Sequence, residues 1–134
     1  MSDTTFNPLD DPNADPFQIA AQAADDIARL TGVAHHDITL TLGSGWGRAA
    51  ELIGETVATI PATEVTGFSK PALEGHVGTL RSVRTPEGKH VLVIGARTHF
   101  YEDHGVRRVV HSVRTAAATG ATTMVLTNGA GGIR

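Results

Sequence analysis

Three short stretches of this sequence combine residue types that can bind a small anion. Residues 43–47 read GSGWG, residues 95–105 read GARTHFYEDHG, and residues 128–132 read NGAGG. Glycine lets the backbone approach a ligand closely, and successive backbone N–H groups can form a concave anion site. Together the three stretches predict a site for a small anion, and phosphate is the natural candidate.

The first stretch, GSGWG, adds the hydroxyl of Ser44 to its backbone donors. Its spacing does not match the dinucleotide fingerprint, the P-loop or the nucleophile elbow of hydrolases. The alternative interpretation is a tight turn from a strand into a helix. These five residues alone do not decide between the turn and the ligand loop.

The second stretch carries the functional side chains. Arg97 offers a planar fork of donors suited to phosphate, and His99 can donate or accept a proton near neutral pH. If the backbone stays extended, Arg97, His99 and Tyr101 point to the same side. A solvated surface loop is the alternative, but so many functional groups after a buried strand favour a site.

The histidines do not predict a metal site. His99 and His104 are five residues apart, which does not place them on one helix face, and no nearby carboxylate pattern completes a zinc set. His76, between glycines in EGHVG, suits a loop histidine that reaches into a site, although this signal alone is weak. We expect His35 and His36 to be solvated.

Each of the three stretches follows an apolar strand. The predicted strands are 37–43, 54–61, 77–85, 89–96 and 122–126, and the last is expected to be buried on both faces. The predicted helices are 17–30, stopped by Gly32, a short one at 46–53, and 106–119, with Val109, Val110, Val113, Ala116 and Ala117 on its apolar face. This order predicts an α/β fold with a mixed, largely parallel twisted sheet flanked by helices. In such sheets, ligands bind at the carboxyl ends of strands.

Composition narrows the function classes. The chain has 134 residues, a net charge of −3 and no cysteine, so neither disulfides nor thiolate metal sites are possible. The charge gives no broad attraction to nucleic acid or membranes, and no apolar run approaches the length of a membrane span. We expect a cytoplasmic protein whose residues 1–16, polar and proline-rich, form a mobile N-terminal arm.

The motifs GSGWG, GHVG, GARTHFYEDHG and VLTNGAGG, in this order, resemble those of the trimeric-type purine nucleoside phosphorylases. The resemblance extends from about residue 17 to the end of the chain. It implies a nucleoside phosphorylase-like fold in which residues 17–134 form the N-terminal half of a single, truncated domain. It also implies a homotrimer for the complete enzyme and no cofactor besides the co-substrate phosphate.

The resemblance assigns roles to six residues, with His76 and His99 as the catalytic pair. Phosphate would be bound by Ser44, His76, Arg97, His99 and the backbone N–H of Gly129, and ribose would contact Tyr101. The family usually has glycine where this chain has Asp103 and alanine where it has Gly129. The first change implies an altered loop, and the second preserves a backbone contact in a more flexible loop.

The implied reaction converts a purine nucleoside and phosphate into a purine base and ribose 1-phosphate. In the family, a glutamate and an asparagine recognise the purine, and both lie outside these 134 residues. The resemblance therefore implies that the chain is catalytically incomplete. Two alternatives remain open, a fragment of a methylthioadenosine phosphorylase and a non-catalytic phosphate-binding domain.

Overall fold

The computed structural model describes residues 6–43, 46–69, 78–96, 105–128 and 131–133. Within these ranges the strands are β1 (Ile38–Thr41), β2 (Glu55–Pro61), β3 (Thr79–Arg84), β4 (His90–Ile94) and β5 (Thr123–Leu126). The helices are α1 (Pro16–Thr31), α2 (Val106–Val109) and α3 (His111–Ala118), with 3₁₀ turns at Pro8–Asp10, Gly47–Leu52 and Ala62–Glu64.

Helix α1 begins and ends within one residue of its predicted bounds because local signals define both ends. The Asp15 side chain accepts the N–H of Phe17 at 2.9 Å, and Pro16 occupies the first turn, where its missing N–H costs nothing. Gly32 ends the helix in the left-handed conformation, with φ 74°. The buried face of α1 consists of Ile19, Ala20, Ala23, Ile27 and Thr31.

The strands form one sheet in the order β2-β3-β4-β1-β5. Strand β1 pairs in parallel with both β4 and β5, whereas β3 pairs antiparallel with β2 and β4. A short connection makes the β3–β4 pair antiparallel, since Thr85 N donates to Lys89 O at 2.8 Å and Gly88 adopts φ 82° in the turn. The predicted mixed sheet is confirmed, and its parallel part comprises β4, β1 and β5.

Strand β4 separates two parts of the hydrophobic core. Leu92 and Ile94 pack on the face that α1 covers, together with Leu80 of β3 and Ile27 of α1. Val91 and Val93 belong to the opposite face, which the 3₁₀ turn Gly47–Leu52 covers. The alternation follows from the two-residue period of a strand, and both faces of β4 are buried.

The helix predicted at 106–119 is divided into α2 and α3 at Val110, whose φ of −92° and ψ of 0° lie outside the helical region. The predicted apolar face is wrong for Val113 and Ala117, which are exposed, whereas Ala116 is buried as predicted. The break at Val110 shifts the helical phase, so the pattern read over one continuous helix matches only part of the buried face.

The described part of the N-terminal segment, residues 6–15, lies against the fold, although its composition predicts a mobile arm. Leu9 is buried. Arg107 of α2 donates hydrogen bonds to the carbonyl oxygens of Asp11, Pro12 and Ala14 at 3.0, 3.2 and 2.9 Å. The composition of the segment could not reveal these bonds, because their donor lies more than 90 residues away in the sequence.

His36 is buried, so the expectation that it is solvated is wrong. Its side chain is 1% exposed, and its Nε2 is hydrogen-bonded to Ser82 Oγ of β3 at 2.8 Å. Burial lowers the pKa of His36 to about 4, and the nearby His90 and His35 add to this effect. The expectation of exposure holds for His35, whose side chain is 60% exposed.

Strand β5 is the edge strand of the described sheet, and the burial on both faces that its apolar sequence predicts is not reached within the described residues. Val125 is 44% exposed and Leu126 is 58% exposed. Apolar β-branched sequence indicates a central strand, but the sheet order leaves β5 paired with β1 alone among the described strands. In the described ranges, no helix has the length and apolar character needed to cross a bilayer.

We expect the exposed face of β5 to promote association. Apolar side chains on a free sheet edge favour edge-to-edge contact. Val125→Thr should reduce association, and Thr123→Val, an exchange in the opposite sense on the same face, should increase it. Light scattering after size-exclusion chromatography at several concentrations measures this, and identical behaviour of both variants and wild type would show that β5 is not the contact.

The buried His36 makes stability depend on pH. Its pKa is about 4 in the folded chain and about 6.5 in the unfolded chain, so the unfolded chain binds more protons between these values. Stability present above about pH 6.5 is therefore lost as the pH falls towards 4, by up to about 3 kcal/mol. The pKa of His111 is also lowered by burial, so His111 contributes with the same sign.

We predict that His36→Gln, which keeps a nitrogen near Ser82, loses less stability than wild type between about pH 7 and about pH 5. The control is His35→Gln, which replaces an exposed neighbouring histidine and should change the pH dependence much less, because burial is the main cause of the lowered pKa of His36. Urea unfolding at each pH gives the free energies. The same decline in His36→Gln as in wild type would assign the pH dependence to other groups.

Candidate functional site

The carboxyl ends of three neighbouring strands meet at one edge of the sheet. In the parallel register, Thr41 of β1 lies opposite Ile94 of β4 and Leu126 of β5. Leu42 N donates to Ile94 O at 3.2 Å, which extends the ladder by one residue. The three glycine-bearing stretches therefore leave the sheet side by side, as the sequence predicts.

The first and third stretches are joined by hydrogen bonds at their starting points. Thr127, the residue after β5, donates its N–H and its hydroxyl to Thr41 O at 3.2 and 2.7 Å. The same hydroxyl accepts the N–H of Gly43 at 3.3 Å. One side chain thus holds the backbone at the ends of β1 and β5 together.

A fourth segment ends at the same edge. Strand β3 runs antiparallel to β4, so its first residues lie beside the end of β4, where Gly95 N donates to Thr79 O at 2.8 Å. Gly78, just before β3, accepts the N–H of Ala62 at 2.9 Å. Gly78 directly follows the segment 70–77, which carries His76 in the sequence. One end of that segment therefore lies at the edge of the sheet where β4, β1 and β5 end.

The predicted site residues themselves lie outside the described residues. These are Ser44, His76, Arg97, His99, Tyr101 and Gly129. The structure does describe the residues that flank the four segments 44–45, 70–77, 97–104 and 129–130. At least one flanking residue of each segment lies at the edge of the sheet where β4, β1 and β5 end. The individual roles of the predicted site residues therefore stay predictions.

The turn 65–69, just before the segment 70–77, is fixed by side chains from distant parts of the chain. Asp26 of α1 accepts the N–H and the hydroxyl of Thr66 at 2.9 and 2.5 Å. Burial raises the pKa of Asp26, but the hydrogen bonds from Thr66 and the charge of Arg29 outweigh it, so the pKa lies below its usual value. His111 Nε2 donates to Thr66 O at 2.8 Å.

The next residue of the turn, Gly67, has no space for a side chain. Its φ is 83°, and a Cβ placed there would lie 2.4 Å from His111 Nε2. Asn7 Nδ2 donates to the Gly67 carbonyl at 3.0 Å, and the Phe68 ring packs edge-on against the His111 ring. His111 thus has a structural role in this turn.

Arg108 of α2 ties the end of this turn to the N-terminal segment. Its Nη1 donates to Ser69 Oγ at 3.1 Å, and its Nε and Nη2 bind the two carboxylate oxygens of Asp10 in a bidentate pair. Arg108 follows the second stretch by three residues. Helix α2 thus contacts the turn before segment 70–77 and directly continues the chain from stretch 95–105.

The carboxyl ends of β1, β4 and β5 are followed in the sequence by the three stretches in which the anion ligands are predicted. Among the residues that the structure describes, no group of three histidine, cysteine, aspartate or glutamate side chains could hold a metal ion.

Comparison with known proteins identifies the relatives. A purine nucleoside phosphorylase from Cellulomonas sp is 59% identical over 130 residues, which cover 94% of this chain and 46% of that protein. The purine nucleoside phosphorylase of Mycobacterium tuberculosis is 49% identical over 125 residues, covering 92% of this chain and 46% of its own length. No protein-family model matches the chain.

A solved structure agrees with these relatives. Purine nucleoside phosphorylase from Schistosoma mansoni, crystallised with acetate, superposes with a TM-score of 0.74 at 30% identity over 86% of this chain and 41% of that one. This chain is a homologue of the purine nucleoside phosphorylases. It spans about half the length of the curated relatives that it matches.

The structure of this phosphorylase homologue shows contributors that sequence reasoning missed. Thr127, Asp26 and Asn7 were not among the predicted site residues, and Arg108 was not singled out. Asn7 precedes Pro8 and caps a 3₁₀ turn, which is a readable local signal. The partners of the other three lie 39 or more residues away, or across a strand pair, so no local pattern identifies them.

The contact between Gly67 and His111 gives a stability prediction. Gly67→Ala should destabilise the chain by about 2–4 kcal/mol, because it combines the cost of a positive φ with overpacking against the histidine ring. Gly88→Ala is the matched control, since Gly88 has φ 82° but open space around its Cβ position. The control should cost only about 1–2 kcal/mol.

Urea unfolding of the two alanine variants measures the difference. The loss in the double variant Gly67→Ala, His111→Ala should be smaller than the sum of the two single losses, because His111→Ala makes room for the methyl group. Equal destabilisation at Gly67 and Gly88 would mean that the close packing around the turn 65–69 contributes nothing.

Proposed function

We propose that this chain provides the phosphate-binding part of a purine nucleoside phosphorylase, which converts a purine nucleoside and phosphate into a free purine and ribose 1-phosphate. The observation that carries the proposal is the meeting of β4, β1 and β5 at one edge, each followed by a stretch that can bind an anion. The names of the relatives support the reaction, and purine nucleoside phosphorylase from Schistosoma mansoni has been solved with inosine and with hypoxanthine.

In the proposed mechanism, phosphate is the nucleophile. Ser44, Arg97, His99 and the Gly129 N–H hold it, and His76 acts with His99 at the reacting oxygens. A phosphate oxygen forms a bond to the anomeric carbon of ribose, and the electrons of the broken glycosidic bond pass to the purine. Fixing the anion beside the developing positive charge of the sugar lowers the barrier by orientation and electrostatic stabilisation. Tyr101 contacts the ribose.

The proposed enzyme needs more than these 134 residues. The resemblance assigns purine recognition to a glutamate and an asparagine outside the sequence, and the relatives are about twice as long as the part that matches. We therefore propose a cytoplasmic homotrimer for the complete enzyme, with purine nucleoside and phosphate as its ligands and no metal or organic cofactor.

Phosphate binding tests the proposal on the chain itself. Isothermal titration with inorganic phosphate should show one site, and Arg97→Ala should weaken it roughly tenfold to a hundredfold, because a charged hydrogen-bond donor is removed. Arg84→Ala is the charge-matched control, since Arg84 lies at the end of β3, at the opposite end of the sheet. Equal weakening in both variants would indicate nonspecific attraction of anions.

Turnover distinguishes the phosphorylase from a phosphate-binding domain. The chain alone should release no hypoxanthine from inosine and phosphate. Mixed with the part of the Cellulomonas relative that it does not match, it should regain phosphorolysis, and Arg97→Ala should not. Phosphate binding without any turnover in the mixture would favour the non-catalytic alternative, and turnover of methylthioadenosine in place of inosine would favour the other phosphorylase.

A further inference from the structure

Thr127 occupies the point where two of the glycine-rich stretches start. Its hydroxyl donates to Thr41 O at 2.7 Å and accepts from Gly43 N at 3.3 Å, so its oxygen bridges the end of β1 to the end of β5. Gly43 is followed directly by Ser44, and Thr127 is separated from Gly129 only by Asn128. The bridge therefore lies one residue before the predicted ligand Ser44 and two residues before the predicted ligand Gly129.

The bridge is specific to this hydroxyl. Thr41, one register position away on β1, is 2% exposed, and its Oγ1 has no hydrogen-bond partner within the described ranges. Thr41 is thus a second buried threonine at this end of the sheet, and its hydroxyl takes no part in the described bridge. At Thr127, by contrast, valine would fill the same volume but would leave Gly43 N without its acceptor.

The bonds of Thr127 act on the backbone that is expected to bind the ligand. A phosphate held by N–H groups from two separate stretches requires both to aim at one point, and backbone donors cannot compensate for a shift as a long side chain can. Glycine-rich backbone has unusually large conformational freedom. A fixed link at the start of both stretches restricts that freedom without occupying the ligand site.

We infer that Thr127 is a positioning residue for phosphate, whose hydroxyl fixes the chain at Gly43 to the chain at the end of β5, where the stretches 43–47 and 128–132 begin. The inference rests on the proposed phosphate site. It assigns a function to a side chain that does not itself contact the ligand. Its effect must therefore be seen in phosphate affinity and in the Gly43 amide, and not only in stability.

Four variants of the full chain test this role. Thr127→Val removes the hydroxyl at constant volume and should weaken the binding of inorganic phosphate about tenfold, the equivalent of one hydrogen bond. Thr127→Ser keeps the hydroxyl and should bind phosphate nearly as wild type does. Thr41→Val is the matched control, because it makes the same exchange at a hydroxyl without a described partner. If Thr127→Val does not fold, Thr127→Ala replaces it in the comparison.

Isothermal titration below the unfolding temperature gives the affinities, and hydrogen exchange by NMR follows the Gly43 amide. We expect faster exchange of this amide in Thr127→Val, with slow exchange restored in Thr127→Ser. Thr41→Val reports the general effect of removing a buried hydroxyl from the same strand pair.

The outcomes separate the inference from the function on which it rests. Wild-type chain that binds no phosphate would overturn both. Wild-type binding that Arg97→Ala weakens but Thr127→Val leaves unchanged would keep the function and overturn the role of Thr127. Loss of affinity in Thr127→Ser, or an equal loss in Thr41→Val, would also overturn it, because the effect would then not depend on the bridging hydroxyl.

Discussion

The parallel pairing of β1 with both β4 and β5 is the constraint on which the candidate site depends. A strand paired in parallel on both sides brings three chain segments out of the sheet at the same edge, although they are far apart in the sequence. If β1 paired antiparallel with β5, GSGWG and NGAGG would leave at opposite ends of the sheet. The site is therefore a consequence of topology before any side chain is considered.

The same strand introduces polar groups into the core. Thr39 and Thr41 are 0% and 2% exposed, and their hydroxyls have no hydrogen-bond partner among the described residues. Each buried unsatisfied group costs about 1–3 kcal/mol, which the β-branched shape of threonine in a strand only partly offsets. His36 adds a buried titratable ring bonded to Ser82. The stability of the sheet interior is therefore sensitive to pH.

The parts of the fold that depend on neighbouring sequence could be predicted, and the parts that depend on distant partners could not. Asp15, Pro16 and Gly32 define α1 within one residue, because caps act over a few residues. The burial of His36 and the exposure of β5 depend on which strands pair, and an apolar run carries no information about its place in the sheet. The same holds for the candidate site. Its glycines and histidines can be recognised in a sequence motif, whereas the hydrogen bonds of Thr127 can be recognised only when the register of β1 and β5 is known.

The anchors around the site suggest how a glycine-rich site can be precise. Glycine allows the backbone to surround an anion, but each glycine also adds about 0.5–1 kcal/mol of entropic cost on ordering. Here the fixed points lie at the flanks, at Thr127 and in the turn 65–69, where Asp26 and His111 hold Thr66. Helix α2 follows stretch 95–105 and, through Arg108, bonds to Ser69 before segment 70–77. Because one helix contacts both flanks, side chains outside the predicted site fix the described ends of the segments that carry it.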